Sequence, residues 1–145
     1  MIYKYVINNL DEIEKIVDLI INLLKPNIYL ILQGNLGVGK TTLTQLVAKK
    51  LGIREKVTSP TFNIMSRYYL EDKDIYFNHF DFFRLKKDED LSNLKELTFN
   101  NINFIEWPEI IKQFWEKEED LIIVEISKIK SEINDDQSRE FVIKT

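Results

Sequence analysis

Cysteine is absent from the chain, so it can build neither a disulfide framework nor a thiolate site, and the sequence suits a reducing compartment. Histidine occurs once, as His79, which leaves a zinc centre without the cluster of nitrogen and sulfur ligands it needs. Apolar runs are short: none approaches the roughly 20 residues that cross a bilayer. Met1-Ile2-Tyr3-Lys4-Tyr5 lacks the long apolar core of a signal peptide. The expectation is a cytoplasmic protein with no membrane segment. Net positive charge is lacking too. At −4 overall the surface repels polyanions, so tight binding of nucleic acid by this chain alone is not expected, and Lys49-Lys50 and Lys86-Lys87 read as solvated charge. No Gly/Ser-rich linker divides the 145 residues, and with 44% hydrophobic content they can bury one sizeable core, so residues 1–145 are expected to form one domain.

Glycine is scarce, and its placement is informative. Three of the four glycines fall within the six residues from Gly34 to Gly39, in Gly34-Asn35-Leu36-Gly37-Val38-Gly39-Lys40-Thr41-Thr42. This stretch fits the pattern GxxxxGK[ST], and its flanks supply the context that gives the pattern meaning. Ile28 to Gln33 is an uncharged apolar run rich in strand formers, which predicts a buried strand. After the loop, Leu43, Leu46, Val47 and Leu51 recur at helical spacing and Gly52 stands as a stop, which predicts an amphipathic helix. Strand, glycine loop and helix start make an anion site, because the first N–H groups of a helix are unpaired and lie at the positive end of its dipole. Gly34, Gly37 and Gly39 let the backbone approach phosphate, with Asn35, Leu36 and Val38 between them. Lys40 is placed to reach terminal phosphates, Thr41 to ligate magnesium, and Thr42 to add a phosphate contact.

Ile2 to Ile7 predicts a first strand. Asn9 is expected to cap a helix from Leu10 to Leu24, with Glu12 as its box partner and Pro26 behind its end. Phe62 to Leu70 and Ile75 to Phe82 are expected to pair as an antiparallel hairpin across Glu71-Asp72-Lys73-Asp74. The hydroxyl-lined turn at Ser59-Pro60-Thr61-Phe62 leads into it. His79 and Asp81, two apart, share one side of the second strand, and a carboxylate among Phe80, Phe82 and Phe83 needs a partner or a purpose. A short helix is expected over Asp88 to Leu97 and another, on the surface, over Lys112 to Asp120. Ile102 to Glu106 reads as a strand ending in an acid, which is what a magnesium site facing Thr41 requires. Leu121 to Glu125 also ends in an acid, but Ile126 continues that strand whereas Pro108 stops the other just past Glu106, so Glu106 is preferred over Glu125. Arg139 to Ile143 is the last expected strand.

The phosphate loop, Ser59-Pro60-Thr61-Phe62, His79-Phe80-Asp81-Phe82-Phe83-Arg84-Leu85 and Ile105-Glu106-Trp107-Pro108, in this order and spacing, resemble the TsaE family, also called YjeE, over nearly the whole chain. The resemblance implies an α/β P-loop NTPase fold, a mixed and mostly parallel sheet flanked by helices with an antiparallel hairpin. It also implies ATP hydrolysis with magnesium, and partnership with TsaD and TsaB in making threonylcarbamoyladenosine in tRNA, the tRNA being met only indirectly. Carried onto this sequence, it makes Lys40, Asp81 and Glu106 catalytic, Thr41 and Glu106 the magnesium residues, and Ser59 to Phe62 a nucleotide-sensing switch, with Arg139 close to nucleotide. A monomer or weak oligomer is expected for the free chain. Phe83 stands where the family usually has Tyr, and Asn93, which tolerates left-handed backbone, where a glycine is usual ahead of Glu96. Two other functions compete: a small-molecule kinase, which usually closes several arginines over the phosphates where this chain has four dispersed ones, and a nucleotide switch without turnover. A GTPase is disfavoured because no Asn-Lys-x-Asp motif occurs.

Overall fold

The computed structural model describes residues 1–60, 63–86, 90–130 and 137–145. The fold grows from β2 (Tyr29–Gln33), whose first four residues are buried on both faces, as a strand with neighbours on each side and helices above and below must be. It pairs in parallel with β5 (Ile102–Glu106) on one side and β6 (Leu121–Lys128) on the other, and β4 (Ile75–Asp81) adds in parallel beyond β5. Antiparallel strands finish both ends: β3 (Met65–Leu70) pairs with β4, and β7 (Arg139–Lys144) pairs with β6 and with β1 (Ile2–Ile7). The resulting seven-stranded sheet has the order β1-β7-β6-β2-β5-β4-β3.

Side-chain alternation along β2 divides the core. Leu30 and Leu32 face a layer holding α1 (Glu14–Leu23) and α2 (Lys40–Lys50), with Ile16, Ile20, Leu43, Val47, Phe77 and Phe104 packed there. Tyr29 and Ile31 face the other layer, with Phe80, Ile105, Ile111 and Trp115. Because β4, β5 and β2 are parallel and in register, Phe77, His79, Asp81, Phe104 and Glu106 all lie on the α1/α2 side. Asp81 and Glu106 are register partners at the ends of their strands, on the side where β2 runs into the glycine loop.

Several expected boundaries are corrected. The first helix is two pieces, a 3-10 turn over Leu10–Ile13 and then α1. Asn9 does not cap it through its oxygen. Its amide donates to Glu12 Oε1 (3.2 Å), Glu12 Oε2 accepts from the backbone N–H of Asn8 (3.2 Å), and Asn9 Oδ1 is buried without a partner. A carboxylate drawn back to Asn8 accompanies a tighter first turn than the α-helical box describes. The hairpin strand expected from Phe62 begins at Met65, and Phe62 itself lies outside the described residues. The helix expected over Asp88 to Leu97 is α3 (Leu94–Thr98), and residues 87–89 lie outside the description. Asn93 ahead of it has φ −92°, so no left-handed backbone is required there. The surface helix expected over Lys112 to Asp120 is a 3-10 turn, Pro108–Ile111, leading into the short α4 (Lys112–Trp115). Trp115 turns inward, donating its indole N–H to the Pro108 carbonyl (3.1 Å), so burial of one large ring overrides the polar pattern around it.

Candidate phosphate and magnesium site

β2 ends at Gln33, and the next residue can only be glycine. Gly34 has φ +151°, and a Cβ there would stand 2.5 Å from the Ile126 carbonyl oxygen and 2.8 Å from Val38 Cγ1. The loop is thereby clamped between β6 and its own return. Gly39, at φ +116°, turns the chain into α2 and offers no capping side chain. The first helical bond runs from Leu43 N–H to the Gly39 carbonyl (3.0 Å), so the N–H groups of Lys40, Thr41 and Thr42 have no helical acceptor. Unpaired donors at the positive end of a helix dipole make this loop a receptor for an anionic group. Asn35 and Leu36 form its outer turn: the Asn35 carbonyl accepts from Val38 N–H (3.2 Å), and the Leu36 side chain is exposed.

Lys40 is buried at the foot of the loop. Its ammonium donates to the Gly34 carbonyl (2.5 Å) and lies 3.8 Å from the centre of the Trp107 ring. Burial holds its pKa below the ordinary lysine value, against the opposing pull of Glu106, Asp81 and Glu109. Trp107 takes a left-handed backbone, φ 55°, and packs on Phe83 with ring centres 4.7 Å apart. The absence of a hydroxyl at Phe83 thus goes with an aromatic contact.

Thr41 and Glu106, 65 residues apart in sequence, meet directly: the Thr41 hydroxyl lies 3.1 Å from each carboxylate oxygen of Glu106. Glu106 is 2% exposed, and its Oε2 is also 2.5 Å from His79 Nε2. The competing acid, Glu125, is half-exposed within β6, which runs on to Lys128, and it pairs with Lys144 (2.5 Å). A hydroxyl and a carboxylate fit magnesium, a hard ion that takes one or two protein oxygens and completes its shell with water and phosphate. Among the described residues no group of three or more His, Cys, Asp or Glu forms a denser metal cage.

Asp81 finds its partners elsewhere. Its Oδ2 accepts from the Ser59 hydroxyl (2.6 Å) and its Oδ1 from the Phe83 N–H (3.0 Å), so it ties Ser59 to the end of β4. Thr61 and Phe62, the rest of the expected switch, lie outside the described residues. Arg139 is brought from the far end of the chain to the phosphate loop, where its Nε donates to the Val38 carbonyl (3.1 Å). Beside it opens a cleft of about 340 Å³, walled by Ile7, Leu10, Val38, Thr42, Arg139 and Phe141.

Sequence reasoning missed two participants. For His79 the sequence offers only a lone imidazole whose even spacing from Asp81 puts it on the site face; its partner on β5 emerges from strand pairing alone. For Trp107, part of the Ile105-Glu106-Trp107-Pro108 motif, nothing local in the sequence says that its ring meets Lys40.

The family model for threonylcarbamoyl adenosine biosynthesis protein TsaE matches residues 7–141. The chain belongs to the TsaE family. Among curated TsaE proteins, that of Rickettsia felis is 38% identical over 110 residues, 74% of this chain and 63% of the relative. That of Bacillus subtilis is 35% identical over 106 residues, 72% of this chain and 66% of the relative. The alignments thus span somewhat less than two thirds of those relatives' length. Both are named as tRNA threonylcarbamoyladenosine biosynthesis proteins, which places this chain in a family of that pathway. The crystal structure of YdiB from Bacillus subtilis superposes with a TM-score of 0.71 at 24% identity, covering 99% of this chain and 84% of that one, and it shares the mixed α/β fold. Among the described residues no helix is long and apolar enough to cross a membrane.

Proposed function

We propose that this chain binds ATP with magnesium and hydrolyses it in support of a TsaD–TsaB assembly that threonylcarbamoylates adenosine in tRNA. The observation that carries the reading is the direct contact of Thr41 with Glu106 at the foot of the glycine loop, since it joins the phosphate receptor to a buried acid through the one hydroxyl both motifs share. In this reading the N–H groups of Lys40 to Thr42 receive the phosphates. Lys40 leaves the Gly34 carbonyl and the Trp107 ring to meet the terminal phosphate, where its charge offsets the charge that develops there. Thr41 and Glu106 hold magnesium, which when bound neutralises phosphate charge. Asp81 orients the attacking water or reports the terminal phosphate to Ser59 and the loop behind it. The cleft beside Arg139 and Phe141, apolar on one wall and next to the loop, receives the base.

Arg139 touches the loop whereas Arg67 holds Asn78 and the Leu97 carbonyl, so these two do not close together over the phosphates as the kinase reading asks. A switch without turnover is separated by phosphate release. Lys40→Ala and Thr41→Ala are expected to abolish release from ATP while leaving the circular dichroism spectrum intact. Near-normal release from both variants would remove the phosphate-loop assignment. For the partner, co-purification with TsaD and TsaB dependent on ATP is expected, and its absence with and without nucleotide counts against the assembly.

A further inference from the structure

The imidazole of His79 is fully buried on the site face of β4, directly behind the acid assigned to magnesium. Its Nε2 lies 2.5 Å from Glu106 Oε2, while Nδ1 is buried with no hydrogen-bond partner. That asymmetry selects the tautomer. A proton on Nε2 is bonded to the carboxylate, whereas a proton on Nδ1 would be a buried donor with nothing to bind. A glutamate alone at a strand tip has three side-chain torsions to distribute its oxygens. With Oε2 held from behind by a stiff, fully buried ring, the carboxylate keeps its plane and presents its edge to Thr41, whose hydroxyl lies 3.1 Å from each oxygen.

We infer that His79 is a positioning residue for the magnesium site: its Nε2–H fixes the Glu106 carboxylate in the orientation that lets it and Thr41 share one ion. The inference rests on the proposed magnesium–nucleotide function and adds to it a residue that touches neither metal nor nucleotide. Its burial alone does not account for the geometry, since Phe77 and Phe80 on the same strand fill core space without a polar atom.

The test uses binding of the non-hydrolysable β,γ-imido analogue of ATP, measured by calorimetry in EDTA and across a magnesium series. His79→Leu is expected to keep the affinity seen in EDTA and to need about 10- to 100-fold more magnesium for tight binding. His79→Asn, whose amide falls short of Oε2, should behave like the leucine variant, and His79→Gln, whose amide nitrogen reaches about as far as Nε2, should recover most of the wild-type response. Should the leucine variant fail to fold, the Asn and Gln pair decides. The single histidine of the sequence permits a direct measurement on the wild type as well. One exchange-protected Nε2–H resonance is expected, shifting when magnesium is added with the analogue and not with the analogue in EDTA. Unchanged magnesium demand in both Leu and Asn variants, equal losses with and without magnesium, a Gln variant no better than Asn, or a resonance indifferent to magnesium would each overturn the inference while wild-type nucleotide binding stands. A wild-type protein that binds no nucleotide under either condition overturns the proposed function itself, and the inference with it.

Discussion

Replacing Glu106 by glutamine removes one negative charge from the proposed magnesium site and little else, because the amide matches the carboxylate in shape and its oxygen can still accept from His79 or Thr41. A carboxylate that meets magnesium through one water stands about 4 Å from the ion, and a unit charge facing a divalent ion at that distance contributes about 2 kcal/mol even with the screening of bulk water. Glu106 is 2% exposed, so bulk screening sets a lower limit, and the magnesium concentration for half-maximal turnover should rise at least about thirtyfold in Glu106→Gln. Asp81→Asn makes the contrasting case. Asp81 is held by Ser59 and the Phe83 amide and has no hydrogen bond to Thr41, so its loss should leave the magnesium midpoint nearly unchanged. It should instead lower the rate at saturating magnesium by about 10²- to 10⁴-fold, the range for a group that positions or accepts a proton, with ATP affinity largely kept. Phosphate release followed across a magnesium titration, with affinity from calorimetry, reads both quantities on the same protein. A raised midpoint in Asp81→Asn with an unchanged one in Glu106→Gln would show the two roles reversed.

Gly34→Ala should lower stability by about 2 to 5 kcal/mol, from left-handed strain and a collision with the Ile126 carbonyl, whereas Gly37→Ala, at φ +74° with open space around it, should cost about 1 kcal/mol; equal melting shifts in calorimetry would contradict the clamp on β6. Burial holds the Lys40 pKa below its unfolded value of 10.5, so the unfolded chain binds more protons between the two values and stability should rise with pH across that window. Denaturant titrations at several pH values should therefore show wild type gaining on Lys40→Met as pH climbs towards 10.5, and a gain in the opposite direction would mean the lysine is stabilised by its acids more than it is penalised by burial. With a net charge of −4, the isolated chain should retain little tRNA on a filter at physiological salt, and tight retention would place the RNA contact on this protein itself.

Much of the fold was written in local pattern. An uncharged run before a glycine loop can only be a buried strand feeding a helix, and Ile75 to Asp81 and Ile102 to Glu106 were legible as strands from their aromatic and branched residues. The same pattern placed Lys40, Thr41 and Glu106 as candidates, since glycine spacing and an acid at a strand tip are chemical requirements that leave marks in sequence. What local pattern does not hold is which strands become neighbours. Only the parallel pairing of β4, β5 and β2 puts Thr41 and Glu106 within a hydrogen bond and turns His79 from a lone imidazole into the partner of that acid, and only the pairing of β7 with β6, itself beside β2, draws Arg139 onto Val38. Helix limits escaped for a related reason. The first helix breaks at Ile13, where the Glu12 carboxylate reaches back to Asn8 and Asn9, and the last ends at Trp115, whose buried ring bonds the Pro108 carbonyl; single contacts of this kind outweigh propensity worth a few tenths of a kcal/mol per residue.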